Sequence, residues 1–490
     1  MKKLVQLFSL LTIGTGIVPS LTSCANKSIV IANFESYMAE DLIDAVEKEF
    51  DHQTQFLYYG TNEEIDRKFP MNYDVATPSS YQAINMLNNG WLKKIDWSKF
   101  DLHDPDHPEN AITNGHEALS LFTEPVQQII TEWSVGLKIA DDENLLDYCI
   151  PYFLQTWVFA YKGNKINGLE NNTSWNQTLS YISNKSDQGD ERFKKPGVKL
   201  ACVDDNRSVY GISHLIQDER KHPNNPDAWT LNPEAGASSD DYINTYNNLK
   251  NSFNHNSFWL NSDSGSVLNS FSDPNGNIGA FAYNGDILYA AQGADTYDVD
   301  YDVDNMQCVT PDKTLFALDM MVVNEKEQGE KLDKIYDILK YMLLDHVDSY
   351  EDIKDVDEKD NYKYGPMYNF EFIQYTDVFK TIDKYVNAPD EETLYSDESY
   401  FGAGFADKEH YGEDDTGWNQ RKGETDEEFA ARIAEQKKKI NLYLDIYNVP
   451  TPSQEEIANG YYQKVIERPI NGIEKSNMTG AYLKTIKDGL

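Results

Sequence analysis

Between Ser28 and Asn88 short apolar runs alternate with helical patterns, and this alternation restricts the fold more than any other feature of the chain. Ser28–Ala32 reads as a buried strand, followed by a loop, Asn33–Tyr37, and an amphipathic helix, Asp41–Phe50, with Leu42, Val46 and Phe50 on one face. Thr54–Tyr59 reads as a second strand and Asn62–Phe69 as a short helix. Tyr73–Pro78 reads as a third strand, leading through Ser79, Ser80 and Tyr81 into a helix over Gln82–Asn88. Parallel neighbours need a crossover between them, so this order predicts a parallel α/β sheet. In such sheets ligands meet the loops at the carboxyl ends of strands, here Asn33–Tyr37 and Ser79–Tyr81.

The pattern resumes with an aromatic-rich strand region at Pro151–Tyr161. Val198–Val203 reads as a strand ending at Asp204 and Asp205, with a helix over Ser208–Gln217 behind it. A helix is expected over Asn244–Phe253, and a strand over Ile278–Tyr283 closed by Asn284, Gly285 and Asp286. Leu315–Val323 is apolar except for Asp319, and Lys331–Leu344 is an amphipathic helix. Residues 345–365 and 388–428 are charged, with Gly and Pro, and read as surface insertions. A long helix over Glu427–Tyr447 and a shorter one over Pro450–Lys464 complete a helical C-terminal extension.

The amino terminus carries a different message. Lys2 and Lys3 precede an apolar run, Leu4–Val18, and then Leu21-Thr22-Ser23-Cys24. A positive end, an apolar middle and small residues before a cleavage point make a signal peptide over residues 1–23. Cysteine at the first mature position resembles the bacterial lipobox, which implies lipidation of Cys24, a short tether over 24–27 and an extracellular, lipid-anchored protein. The apolar run is interrupted by Gln6, Ser9 and Thr12, whereas a membrane span expects ~20 clean apolar residues. Removing the leader takes away Lys2 and Lys3 and no acid, so the formal charge of −39 becomes −41. A surface this acidic excludes nucleic acid and anionic lipid as partners of the general surface and suits a cationic one.

Cys149, Cys202 and Cys308 are odd in number and lack C-x-x-C spacing, so they read as buried free thiols rather than a disulfide framework or zinc site. Asp298, Asp300 and Asp302 fit the start of a calcium loop, with Asp304 continuing the alternation. Val303 stands where that loop needs glycine, and no glutamate follows at its twelfth position, so no metal is expected. The H-E-x-x-H, G-x-S-x-G and P-loop patterns are absent, and neither an enzyme nor a cofactor is expected.

Five segments, NFESY (33–37), YDVATPSSY (73–81), VDDNRSVYG (203–211), GAFAYNGDI (279–287) and TLFALDMMVV (314–323), carry a resemblance to the spermidine/putrescine-binding proteins of bacterial ABC importers. The resemblance implies a two-lobed type II periplasmic-binding-protein-like α/β fold. It places lobe 1 at 28–155 with 319–372, and lobe 2 at 156–318 with 373–490. It also implies a monomer that captures a polyamine and delivers it to an ABC permease. The ligand residues it implies are Phe34, Glu35, Tyr37, Ser79, Tyr81, Asp205, Tyr283, Asp286 and Asp319. An aromatic-lined groove with spaced acids suits the ammonium groups and methylene stretches of such a ligand.

The chain departs from the family pattern in places. Glu35 precedes Ser36 where the family has its acid one position later, Ser208 replaces a second acid, and Ala317 replaces a tryptophan. Tyr364 and Tyr368 both fit a C-terminal tyrosine of the family. Each site residue also has a structural alternative. Asp205 can cap the following helix, Tyr37 and Tyr81 can cover the sheet, Glu35 can be solvated, and Asp319 can bond backbone amides. Another solute in the same fold (a cation, a sugar or thiamine) and a surface antigen or adhesin remain the competing functions.

Overall fold

The computed structural model describes residues 28–487, apart from 36, 52, 196, 254–257, 262–265, 268–269, 271–275, 293–305 and 355–364. The leader, Cys24, the acidic run Asp298, Asp300, Asp302 and Asp304, and Tyr364 therefore lie outside the described residues.

The strands are β1 (Ile29–Phe34), β2 (Thr54–Tyr59), β3 (Val75–Ala76), β4 (His103–Asp104), β5 (His107–Ala111), β6 (Cys149–Lys162), β7 (Leu200–Val203), β8 (Phe258–Asn261), β9 (Gly279–Tyr283), β10 (Met306–Val309), β11 (Phe316–Val323) and β12 (Thr376–Asp377). Apart from the β4–β5 hairpin they form one sheet in the order β2-β1-β3-β11-β6-β9-β7-β8, with β10 and β12 also on β6. β1 pairs in parallel with β2 and β3, as the strand–helix alternation requires. β7 pairs in parallel with β8 and β9.

Two half-sheets meet on β6. Residues from Cys149 to Thr156 pair antiparallel with β11, and Trp157–Tyr161 pair antiparallel with β9. Both sides of β6 are buried from Cys149 to Tyr161, which explains why its sequence reads as a continuous aromatic and apolar run without alternation. The architecture is the expected two-lobed α/β fold with added helices.

The helices that position the site are α1 (Glu40–Glu49), α2 (Asn62–Asn72), α3 (Ser80–Asn88), α4 (Asn206–Lys221), α5 (Ser239–Lys250), α6 (Asn284–Ala291), α7 (Glu330–Leu339), α8 (Pro366–Ile373), α9 (Asp426–Tyr447), α10 (Tyr461–Val465) and α11 (Gly472–Tyr482). α4 begins two residues earlier than its sequence pattern suggested, where Asp205 caps it by accepting from the Arg207 amide, and runs four residues further, to Lys221. α5 begins at Ser239 through a reciprocal capping box between Ser238 and Asp241. The single helix expected over Pro450–Lys464 is two short ones, Gln454–Ala458 and α10, parted by Gly460 at φ 71°.

The segment 388–428 is a packed satellite rather than a loose insertion. Its Trp418 indole donates to the Gly402 carbonyl at 3.1 Å, and Arg421 pairs with the buried Asp415 at 3.1 Å. Cys149 and Cys202 are buried and Cys308 is partly buried, and all three are free thiols. No helix among the described residues is long and apolar enough to cross a membrane.

Gly285, in the first turn of α6, lies against the face of Tyr375, and a Cβ there would overlap the ring. Gly285→Ala should therefore cost about 1–3 kcal/mol in urea unfolding through overpacking. Gly480→Ala in α11, where nothing lies within 4 Å, should instead gain roughly 0.5–1 kcal/mol.

Candidate ligand-binding site

The carboxyl ends of β1 and β3 on one half-sheet, and of β7 and β9 on the other, meet beside the middle of β6. Asp319 lies there on β11, 2% exposed, at a bulge in the β11–β6 ladder. Its Oδ1 accepts from Ser79 Oγ at 2.6 Å, and its Oδ2 accepts from Tyr37 Oη at 2.7 Å and from the Gln155 side-chain amide. Burial raises the Asp319 carboxyl to about 6, against the lowering effect of the Ser79 and Tyr37 hydrogen bonds. All three donors are neutral, and no cation lies within ion-pair distance of Asp319 among the described residues.

Each donor is held in place by its own neighbours. The Tyr37 carbonyl accepts from Asn33 Nδ2 at 3.0 Å and Tyr152 Oη at 2.7 Å, which folds the loop after β1 back over the sheet. Asn369 of α8 donates to Tyr152 at 2.6 Å and accepts from the Ala39 amide at 3.1 Å. Ser79 sits at the N-cap of α3 but makes no side-chain cap bond, because its hydroxyl is directed to Asp319 instead. Asn62 of α2 fixes Ser79 through two hydrogen bonds of 3.0 Å.

Aromatic rings line the junction. Tyr37 packs edge-on against Tyr152 at 5.2 Å and Tyr375 at 5.6 Å, and Tyr375 reaches Tyr283 at 6.4 Å. Phe34 packs on Tyr37 at 5.9 Å and on Tyr59 at 4.6 Å. Tyr375 Oη donates to Asp286 Oδ1 at 2.8 Å. On the second half-sheet Asp205 accepts from Ser208 Oγ at 2.8 Å, and Ser208 Oγ lies 3.1 Å from Tyr283 Oη. Tyr81, at the start of α3, lies under the Arg207 guanidinium, 4.1 Å from the ring centroid.

The structure thus brings together Tyr37, Ser79 and Asp319 directly, and Phe34, Tyr81, Asp205, Tyr283 and Asp286 around them. Glu35 is exposed in the turn after β1, and no hydrogen bond joins it to this group. Ala317 is half-buried on β11, and Tyr368 donates to Asp41 at 2.8 Å on α1. Gln155, Tyr152, Tyr375, Arg207 and Glu467 belong to the same junction and were not singled out from the sequence. Gln155 carried a usable signal, since it is a polar residue inside an apolar strand, as Asp319 is.

A model of the family described as hypothetical lipoprotein (MG045 family) matches residues 1–488. No curated protein matches the chain. Among solved structures, the spermidine/putrescine ABC transporter substrate-binding protein of Streptococcus pneumoniae is similar at 14% identity and a TM-score of 0.44, over 85% of this chain and 99% of that one. An ABC transporter solute-binding protein of Agrobacterium vitis with bound D-mannitol is similar at 12% identity and TM-score 0.41, over 94% and 99%. Iron-bound HitA of Pseudomonas aeruginosa is similar at 12% identity and TM-score 0.38, over 64% and 80%. At these scores neither fold nor ligand follows from the likeness.

Two outcomes follow from the Asp319 environment. Tyr37→Phe removes a donor from a buried carboxylate and should cost about 1–3 kcal/mol in chemical unfolding. With a folded value of about 6 against an ordinary 3.8, the native state holds more proton than the unfolded chain between those values. Stability from this group therefore falls as pH rises from about 4 to about 6 and is level above that. The decline measured by thermal unfolding across this window should be shallower in Asp319→Asn; an equal slope in both proteins would contradict the assignment.

Proposed function

This chain belongs to the hypothetical lipoprotein (MG045) family, and from that premise we propose that it is a lipid-anchored extracellular receptor that captures a polyamine, spermidine or putrescine, for an ABC importer. Asp319 carries the reading. A buried carboxylate with neutral donors and no cation nearby is stabilised by any ammonium that reaches it, because the ion pair replaces hydration lost on burial. Tyr37, Tyr283 and Tyr375 supply faces for methylene groups and for cation–π contacts of ~0.5–2 kcal/mol.

In this reading Phe34, Tyr37, Ser79 and Tyr81 form one wall of the cleft, and Asp205, Tyr283 and Asp286 the other, with Glu35 at its entrance. The walls belong to two lobes, 28–155 with 319–372 and 156–318 with 373–490, joined through β6, and the ligand enters when they part and is held when they close. A diacylglyceryl group on Cys24 supplies two acyl chains, enough for stable anchoring beside the permease.

Isothermal titration with spermidine and with putrescine tests this reading. Heat with at least one is expected, and Asp319→Asn should weaken binding by about tenfold or more, the equivalent of one lost ion pair. Since Asp319 must be ionised to hold an ammonium, affinity should rise between pH 5 and pH 7, by up to roughly tenfold per unit below its value of about 6, and then level. A folded protein that gives no heat with either amine would sink the polyamine reading. A surface antigen would show no thermal stabilisation by small molecules, whereas a receptor at 100 times its Kd should gain about 2.7 kcal/mol.

A further inference from the structure

The cleft already contains one cation of the protein's own. Arg207, in the first turn of α4, is 5% exposed, and its guanidinium lies over the Tyr81 ring. Its Nε is 3.4 Å from Glu467 Oε2 and makes no hydrogen bond, while one terminal nitrogen donates to the Arg468 carbonyl at 2.8 Å. Asp205 and Glu63 add negative charge around the guanidinium. An aromatic face with carboxylates beside it is the environment the amine reading assigns to a ligand ammonium, and here a side chain sits in it.

The second such place is at Asp319, and no cation among the described residues faces it. Tyr283 connects the two. Its hydroxyl is 3.1 Å from Ser208, which donates to Asp205, and its ring reaches Tyr375, which packs on Tyr37. Both acids also act on the Tyr283 hydroxyl electrostatically. The junction therefore offers two anionic, aromatic places, of which one is filled and the other faces no cation among the described residues.

We propose that Arg207 is a specificity-determining residue that stands in for a second ligand ammonium, so that the cleft holds a polyamine through one ammonium at Asp319 and gains no affinity from the second ammonium of a diamine. The inference rests on the amine reading above. To admit a second ammonium, the cleft must either place two cations against each other or lift a buried guanidinium off Tyr81 and away from Glu467. Both carry an electrostatic cost that a polyamine avoids by leaving its second ammonium in solvent.

Glu467 gives the C-terminal extension a part in this selection. Ile466 bridges Phe316 at the start of β11 and its carbonyl accepts from Asn232 Nδ2 at 2.7 Å, while the Arg468 amide donates to Asn232 Oδ1 at 2.7 Å. The segment is thereby pinned on both sides of the glutamate that faces Arg207.

Titration of the full chain with putrescine and with n-butylamine, which share a four-carbon chain and differ by one amino group, tests the inference. In the wild-type protein putrescine should bind no tighter than butylamine. In Arg207→Gln the preference should move toward putrescine by about tenfold or more, while Arg207→Lys, which keeps the charge, should retain the wild-type order. Tighter putrescine binding by the wild type would overturn the inference alone, as would an unchanged ratio in a folded Arg207→Gln protein. Because the wild-type comparison needs no variant, failure of Arg207→Gln to fold leaves it decisive. Silence from both amines on folded protein would overturn the amine reading itself, and this inference with it.

Discussion

β6 is the constraint on which the rest of the molecule depends. Its first eight residues complete one half-sheet and its last residues complete the other, so neither sheet can shift without breaking a shared ladder. A register slip of one residue would reverse every side chain on it, and here that would turn Gln155 away from Asp319. The position of the candidate cleft is therefore a property of backbone pairing.

Burying acid in a chain of formal charge −39 has to be resolved locally, and the junction resolves it in two ways. Asp319 is surrounded by neutral donors, which soften its desolvation without cancelling its charge. Glu467 has a guanidinium beside it, yet burial pushes its carboxyl up to about 7, with Asp205 and Glu63 adding smaller opposition to its ionisation. The two sites differ in what they lack. One lacks a counter-charge, and the other has one that is itself incompletely hydrogen-bonded.

Much of this architecture is legible in the sequence, for physical reasons that differ by element. β1, β2, β9 and β11 are short apolar runs bounded by polar loops, and Asp319 stands out because an acid inside FALDMMVV has to be accommodated by something. Asp205 reads both as a cap and as a site acid, and in the structure it caps α4 while facing Tyr283 through Ser208. What was not legible depends on distant partners. β8 and β10 are four-residue strands whose pairing, not their pattern, makes them strands. Arg207 and Glu467 are unexceptional charges in charged stretches, and only folding places them together.

Tyr37 and Asp319 share a hydrogen bond although 282 residues separate them. At roughly 5–20 residues per second the ribosome takes about 15–60 s to cover that interval. During this time the loop after β1 exists without the carboxylate that orders it, and Glu467 follows later still. Each emerging half-sheet likewise waits for β11 or β9 to be made. The junction around Asp319 is thus among the last features the growing chain can acquire, and a nascent chain carries its early strands without it until β11 has left the ribosome.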